Sequence, residues 1–294
     1  MATQAQLTAF SPAKINVYLR ILGKRADGYH DLETVMLPLD FGDTMSFEAR
    51  PAGIEFTCDD PRLPVDETNL VVRAAKLLTP GGVKITLQKR TPLAAGLGGG
   101  SSNAATTLLG LSQLWQTGAS AGKLHELAAS LGSDINFFLA GSAALCRGRG
   151  ERVEPVPCKL SAAILLANPG FGISTKWAYE RWAAVAPTLT AKPPDVSLLL
   201  RALAEDDLAA VSAAMFNSLE GPSVGKFPVL RLLKDAMRAG GAKGALMSGS
   251  GATVFGLFAE VAQAEHSALR IREHFGPSVW TRVAHFARSA ACLQ

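Results

Sequence analysis

Between Ala13 and Ile21 apolar and polar residues alternate: Ala13, Ile15, Val17, Leu19 and Ile21 fall on one face, Lys14, Asn16, Tyr18 and Arg20 on the other. That period of two predicts a half-buried strand. Val83, Ile85 and Leu87 alternate with Lys84, Thr86 and Gln88 in the same way, predicting a second strand that runs into Pro92. Asp27-Gly28 marks a turn, and the mixture of apolar and turn-forming residues over 44–56 predicts one or two more strands. At Leu70, Val71, Ala74, Leu77 and Leu78 the period lengthens to that of a helix, with Thr68-Asn69 placed to cap it and Thr79-Pro80-Gly81-Gly82 to end it. Further helices are predicted over 102–115 and 124–131.

Val153 to Pro157 has the proline-broken character of a connection, so a boundary is placed there, dividing the chain into units 1–157 and 158–294. The second unit is predicted to hold a strand over 162–167, helices over 175–184, 196–216 and 228–239, and a strand pair over 244–247 and 253–258. Ala191 to Pro194 (AKPP) reads as a loop. Helix and strand alternate, and no internal repeat or low-complexity tail interrupts them.

Composition narrows the function classes. A chain of 294 residues gives a soft expectation of two domains, and 48% hydrophobic against 18% charged residues excludes disorder as the main state. Net charge is only +4, and no basic run exceeds a pair such as Lys24-Arg25 or Lys89-Arg90. This speaks against a nucleic-acid groove or a polybasic membrane anchor, and suits a site for small anions. The four cysteines, Cys58, Cys146, Cys158 and Cys292, show no CxxC spacing, as expected of a reduced compartment. The first ten residues lack the basic and apolar regions of a signal peptide, so a cytoplasmic protein is expected.

The stretch Thr91 to Gly122 runs 32 residues without a charged side chain, yet its first half is glycine, serine and asparagine, unlike a membrane span. It contains PLAAGLGGGSSNAA, with glycines at 96, 98, 99 and 100 just ahead of a predicted helix. Glycine lets the backbone approach a ligand, and the unpaired N–H groups at a helix start attract an anion, so the segment is a candidate phosphate cradle. Ser101 and Ser102 could add hydroxyl contacts, and a side chain at Gly99 would fill the space meant for phosphate. A carboxylate here would repel that phosphate. A Walker A loop is excluded because Gly100 precedes Ser101 where lysine is required, and the dinucleotide fingerprint because Ser101 stands at its sixth position.

PLAAGLGGGSSNAA resembles the phosphate-binding loop of the GHMP kinases, Pro-x-x-x-Gly-Leu-Gly-Ser-Ser, widened by two glycines and followed by Asn103. Three more segments carry the likeness: SPAKINVYLRILGKRADGYHDLETVM from Ser11, LGSDINFFLAG from Leu131 and SGSGAT from Ser248. The resemblance implies an α+β, two-domain GHMP kinase fold. Its N-terminal ATP-binding domain would be ribosomal-protein-like and its C-terminal domain ferredoxin-like, with ATP and substrate in the cleft between them. It further implies a kinase that phosphorylates the 2-hydroxyl of a cytidine-diphosphate-tagged methylerythritol in non-mevalonate isoprenoid biosynthesis. Mg2+ would accompany the ATP, with no tightly held metal site on the protein. Nucleic acid and membrane are not expected as partners, and the chain would be a monomer or homodimer.

Carried over by resemblance, Lys14 and Asp134 are the catalytic pair. Chemistry agrees, since an aspartate can accept the proton of an alcohol under attack and a nearby ammonium favours the negative charge that develops. Pro92, Leu93, Ala94, Ala95, Gly96, Leu97, Gly98, Gly99, Gly100, Ser101 and Ser102, with Asn69, are the expected ATP-binding residues. Asn16, Tyr29, His30, Thr175 and Tyr179 are the expected substrate-binding residues: Tyr29 would stack on cytosine, His30 would read its edge and Tyr179 would close the sandwich, with Trp177 competing for that place. From spacing alone, Asp134 could equally cap the turn that follows, Asn69 could be only a helix cap, and Tyr179 and Trp177 could be core residues. Where the family commonly has proline two residues after the aspartate, this chain has Asn136. Two other readings stay open: another small-alcohol kinase of the homoserine or mevalonate type, or a silent binding protein of the same fold.

Overall fold

The computed structural model describes residues 6–78, 81–186 and 192–287. Its first sheet grows from one long antiparallel hairpin, β1 (Gln6–Lys24) and β2 (His30–Arg50). The C-terminal half of β2 pairs with β4 (Gly82–Gln88), which pairs in parallel with β3 (Ile54–Cys58). Its N-terminal half pairs instead with β5 (Ala144–Gly148), which pairs with β6 (Arg152–Pro155). The helices α1 (Leu70–Lys76), α2 (Gly99–Leu114) and α3 (Ala121–Leu131) answer the predicted ones, α4 (Ile135–Ala140) stands where only a turn was read, and all four bury their apolar faces with this sheet.

The second sheet has the order β11-β7-β10-β9, formed by β7 (Ala163–Asn168), β9 (Gly244–Met247), β10 (Val254–Phe258) and β11 (Trp280–Ala284). Alternate residues of β7 point to opposite cores. Ile164 and Leu166 meet Ile15, Val17 and Leu37 of the first sheet, together with the apolar faces of α6 (Val196–Glu205) and α7 (Leu208–Ala214). Ala163, Leu165 and Ala167 meet α5 (Thr175–Val185), α9 (Val229–Ala239) and α10 (Val261–Phe275). The 157/158 boundary falls between β6 and β7, and we keep it as a proposed division. The chain returns across it, because β8 (Phe216–Asn217) pairs with β1 and Phe286, beyond β11, bridges Leu39 of β2.

Several expectations need correction. Tyr18, Lys14 and Asn16 are as buried as the apolar face of β1, so the strand is covered on both sides. The register of β1 against β2 shifts between Pro12 and Lys14. Before it, odd-numbered Leu7 and Ala9 share a core with Leu111 of α2; after it, odd-numbered Ala13, Ile15 and Val17 turn to the second sheet. Across this shift, where two steps along β1 answer four along β2, the faces exchange, and Lys14 and Asn16 are left facing the phosphate-loop side. The predicted connection 153–157 begins as β6. The predicted helix 196–216 is two helices and a short strand, broken where Asp206 takes φ +59° and Asp207 accepts from Ala210 N–H to cap α7. Thr79, Pro80 and Ala191, parts of a predicted helix end and loop, lie outside the described residues, as does Cys292.

Candidate active site

A cleft of ≈ 1270 Å³ opens where the β1–β2 hairpin, the α2 N-terminus, the β5–β6 turn and the start of α5 meet. A drug-sized ligand fills about 300–1000 Å³, so there is room here for two substrates together.

One wall is backbone. Residues Pro92 to Ser101 line the cleft, and the loop they form is locked from below. Lys14 N–H donates to Leu97 O at 3.0 Å, Thr253 N–H to Ala95 O at 3.2 Å, and Ser248 Oγ to Gly96 O at 2.9 Å. Gly96 has φ +77°, and a Cβ built on it would lie 2.1 Å from Ser248 O, so no other residue fits there. Gly98 caps α2 in the left-handed region without a side-chain hydrogen bond. The N–H groups of Gly99, Gly100 and Ser101 therefore have no partner within the helix, and these three residues face the cleft. The lack of charge over 91–122 has a second cause, since the side chains of α2 from Ser102 to Leu108 are buried.

Ser102 is the predicted loop residue that does not face the cleft. Its side chain is fully buried, its Oγ accepts from Ser11 Oγ at 2.8 Å and its N–H donates to Gly98 O at 2.9 Å. Nor does the side of Gly99 point where phosphate would sit; a Cβ there would meet Lys89 Nζ at 2.8 Å and Thr91 Cγ2 at 3.0 Å. Lys89 belongs to a buried cluster in which Asp43 pairs with its ammonium and accepts from Asn103 Nδ2 and from Arg90 and Thr91 N–H. Asn69 caps α1, its Oδ1 accepting from Val71 N–H at 2.8 Å, and also lines the cleft.

At the foot of this wall, Lys14 Nζ lies 3.6 Å from Asp134 Oδ2, the lysine side chain 4% and the aspartate 38% exposed. The ammonium is aimed by Asn16 Oδ1 at 2.6 Å and Gly96 O at 3.2 Å. Asn16 is itself held, donating Nδ2 to Thr34 Oγ1 and its backbone N–H to Ser248 Oγ. Asp134 occupies the position before α4 but makes no side-chain cap hydrogen bond, so the capping alternative fails and its carboxylate is free to face Lys14. Asn136 is buried within reach of His125 Nδ1 at 3.1 Å and donates to Glu151 O at 3.3 Å, tying α3 and the β6 segment to α4 beside Asp134.

The opposite wall is made of side chains. His30 stacks on Tyr179 with ring centroids 5.2 Å apart and meets Trp182 edge-on at 5.7 Å. Burial, with the charge of Lys24 second, holds the His30 imidazole below its ordinary pKa. Burial also raises the Tyr179 phenol, with Asp134 adding to it. Tyr29 is 56% exposed at the end of the hairpin, and Thr175 Oγ1 lies 3.2 Å from Ser250 Oγ. Trp177 packs on Phe227 and is not part of the cleft lining, which leaves Tyr179 as the aromatic facing it.

Sequence reasoning passed over Thr34, Asn217 and Arg149, and gave Ser248 no role beyond its place in the SGSGAT motif. Asn217 donates Nδ2 to Met247 O at 2.7 Å and Gly249 O at 2.8 Å, gripping the SGSGAT turn against the loop. A lone asparagine carries no signal of such a role. Arg149 lies in a Gly-Arg-Gly turn, which was visible, but only the fold reveals Tyr29 beneath it.

The GHMP kinases N terminal domain family matches residues 69–142 and the GHMP kinases C terminal family residues 199–276. The chain is 41% identical to a 4-diphosphocytidyl-2-C-methyl-D-erythritol kinase of Synechococcus sp. (strain JA-3-3Ab), over 98% of this chain and 96% of that protein. It is 44% identical to the protein of the same name from Pelotomaculum thermopropionicum, over 90% of this chain and 94% of that protein. A crystal structure of 4-(cytidine 5'-diphospho)-2C-methyl-D-erythritol kinase superposes with TM-score 0.80 at 37% identity, covering 95% of this chain and all (100%) of that one. A homoserine kinase from Cytophaga hutchinsonii superposes with TM-score 0.78 at 19% identity, a likeness of fold alone.

Proposed function

The chain belongs to the 4-diphosphocytidyl-2-C-methyl-D-erythritol kinases of the GHMP group, and we propose that its cleft carries the γ-phosphoryl group of ATP to the 2-hydroxyl of that cytidyl alcohol. The products are the 2-phosphate and ADP, in the non-mevalonate route to isoprenoids. It is a phosphotransferase with an alcohol acceptor. The observation that carries the reading of the site is the Lys14–Asp134 pair, 3.6 Å apart, between a helix N-terminus with unpaired N–H groups and an aromatic cluster.

The triphosphate lies along the N–H groups of Gly99, Gly100 and Ser101, and the positive end of the α2 dipole balances part of its charge. Cytosine enters between Tyr29 and Tyr179, with His30 at its edge, and its tail reaches Asp134. As the oxygen attacks phosphorus, Asp134 takes the hydroxyl proton. Lys14, fixed by Asn16 and Gly96 O, stabilises the negative charge that builds up beside it. Catalysis is thus chiefly positioning and electrostatics, as in other phosphoryl transfers. The Ser101 hydroxyl, which faces the cleft, suits a Mg2+ ion brought with the nucleotide, because Mg2+ takes few protein oxygens beside phosphate and water. When bound, that ion neutralises phosphate charge.

Incubating the protein with ATP, Mg2+ and, separately, 4-diphosphocytidyl-2-C-methyl-D-erythritol, homoserine and mevalonate tests the reading. Phosphorylation of the cytidyl alcohol alone is expected. Preference for either of the others, or ATP binding without transfer to any alcohol, contradicts it.

A further inference from the structure

Arg149 stands at the tip of the β5–β6 turn, which is closed by Gly150 N–H to Arg147 O at 3.2 Å and Arg149 N–H to Glu151 Oε2 at 2.7 Å. Its guanidinium carbon lies 4.8 Å from the centroid of the Tyr29 ring, and it lines the cleft. The next residue, Gly150, is at the other end of the gap: a Cβ built on it would lie 3.7 Å from Asp134 Oδ1. The turn therefore spans from the aromatic shelf to the proposed base. Neighbouring arginines are already committed, Arg147 to Glu33 and Glu154, and Arg25 to Asp27 and Asp31. Among the described residues Arg149 makes no salt bridge, and its charge reaches Asp27, a carboxylate that Arg25 already holds.

We propose that Arg149 binds the diphosphate bridge of the cytidyl substrate and so sets the preference for a diphosphate-linked alcohol, an inference that rests on the reading of the cleft given above. With cytosine on Tyr29 and the hydroxyl at Asp134, the two phosphates must cross the distance between them. Lys14 cannot serve them fully, since its ammonium is held by Asn16, Gly96 O and Asp134. A guanidinium takes two phosphate oxygens at once, and stacking on Tyr29 holds it in place while it does so. Tyr29 is then shared: cytosine and Arg149 both use its ring.

Titrating cytidine and CDP separately into the wild-type protein, Arg149→Lys and Arg149→Gln tests this, with KM for ATP and the melting temperature measured on each. Wild type should bind CDP more tightly than cytidine. Arg149→Gln should lose about 10- to 100-fold in CDP affinity, the usual range for a charged hydrogen-bonding partner, while cytidine affinity and KM for ATP stay within about twofold. Arg149→Lys should fall between. Equal loss of cytidine and CDP would mean that Arg149 only props Tyr29, and unchanged CDP affinity would mean that it takes no part; either overturns the inference while the cytidyl reading stands. Wild-type protein that binds neither compound overturns both.

Discussion

The two ends of the cleft are built by different means. The proposed nucleotide end offers backbone N–H groups on a loop locked by Ser248, Thr253 and Lys14, and a single added carbon at Gly96 would lie 2.1 Å from Ser248 O. The proposed cytidyl end offers side chains of Tyr29, His30, Thr175 and Tyr179, gathered from a hairpin and from the start of α5. The first end cannot change at its locking glycine, Gly96, without disturbing the fold. The second can lose a ring and keep its scaffold, which makes it the place where one fold is adapted to different alcohols.

Substitutions can separate the two ends and the chemistry between them. The largest effect is expected at the junction: Asp134→Asn should lower kcat by about 10²- to 10⁴-fold, with nucleotide affinity little changed in a binding titration. Near-normal turnover would remove the aspartate as base. Next, Gly96→Ala should cost at least about 2 kcal/mol in urea unfolding, through backbone strain and the clash with Ser248 O. Gly100→Ala is its counterpart, because a Cβ there meets only Leu70 Cδ1 at 3.8 Å. It should leave stability alone and raise KM for ATP about fivefold, roughly 1 kcal/mol. An equal loss of stability in both variants would break the distinction between locking and ligand-facing glycines.

Tyr29→Ala should weaken cytidyl binding by about 1–3 kcal/mol, the range for stacking on one base, with KM for ATP and melting temperature unchanged. Parallel losses for both substrates would make the tyrosine structural. The smallest effect concerns pH. Because His30 titrates below its ordinary 6.5 when folded, the unfolded chain takes up its proton first as pH falls. Its share of stability is therefore complete above about pH 6.5 and is lost as pH drops through the lower folded value. The fall in melting temperature between about pH 7 and pH 5 should be smaller in His30→Asn than in wild type.

The difference between the two ends also explains what could be read in advance. Glycines at 96, 98, 99 and 100 before an apolar helix have few uses, so a candidate phosphate loop at the start of α2 was legible from one contiguous segment. The direction each glycine faces was not. Gly99 turns toward Lys89 and Thr91, and Ser102 toward Ser11, because the helix twist that follows Gly98 is set by packing on the first sheet. Alternation put Lys14 on the non-core face of its strand, from which it could reach a cleft, but the register shift after Pro12 and the burial of its side chain could not be read from it. At the cytidyl end, Tyr29 and His30 were legible only through resemblance, since nothing local says that residues 30 and 179 stack. The break at Asp206 and the short strand β8 were missed for a related reason: apolar periodicity continues through them, and the pairing of Asn217 with Leu19 is settled by tertiary structure.

A crystal structure with a non-hydrolysable ATP analogue and 4-diphosphocytidyl-2-C-methyl-D-erythritol bound together tests the division of the cleft most directly. The phosphates should contact the N–H groups of Gly99, Gly100 and Ser101, the cytosine should lie between Tyr29 and Tyr179, and the 2-hydroxyl should sit within about 3 Å of the Asp134 carboxylate. Phosphates bound away from the start of α2, or a hydroxyl out of reach of Asp134, would contradict the account.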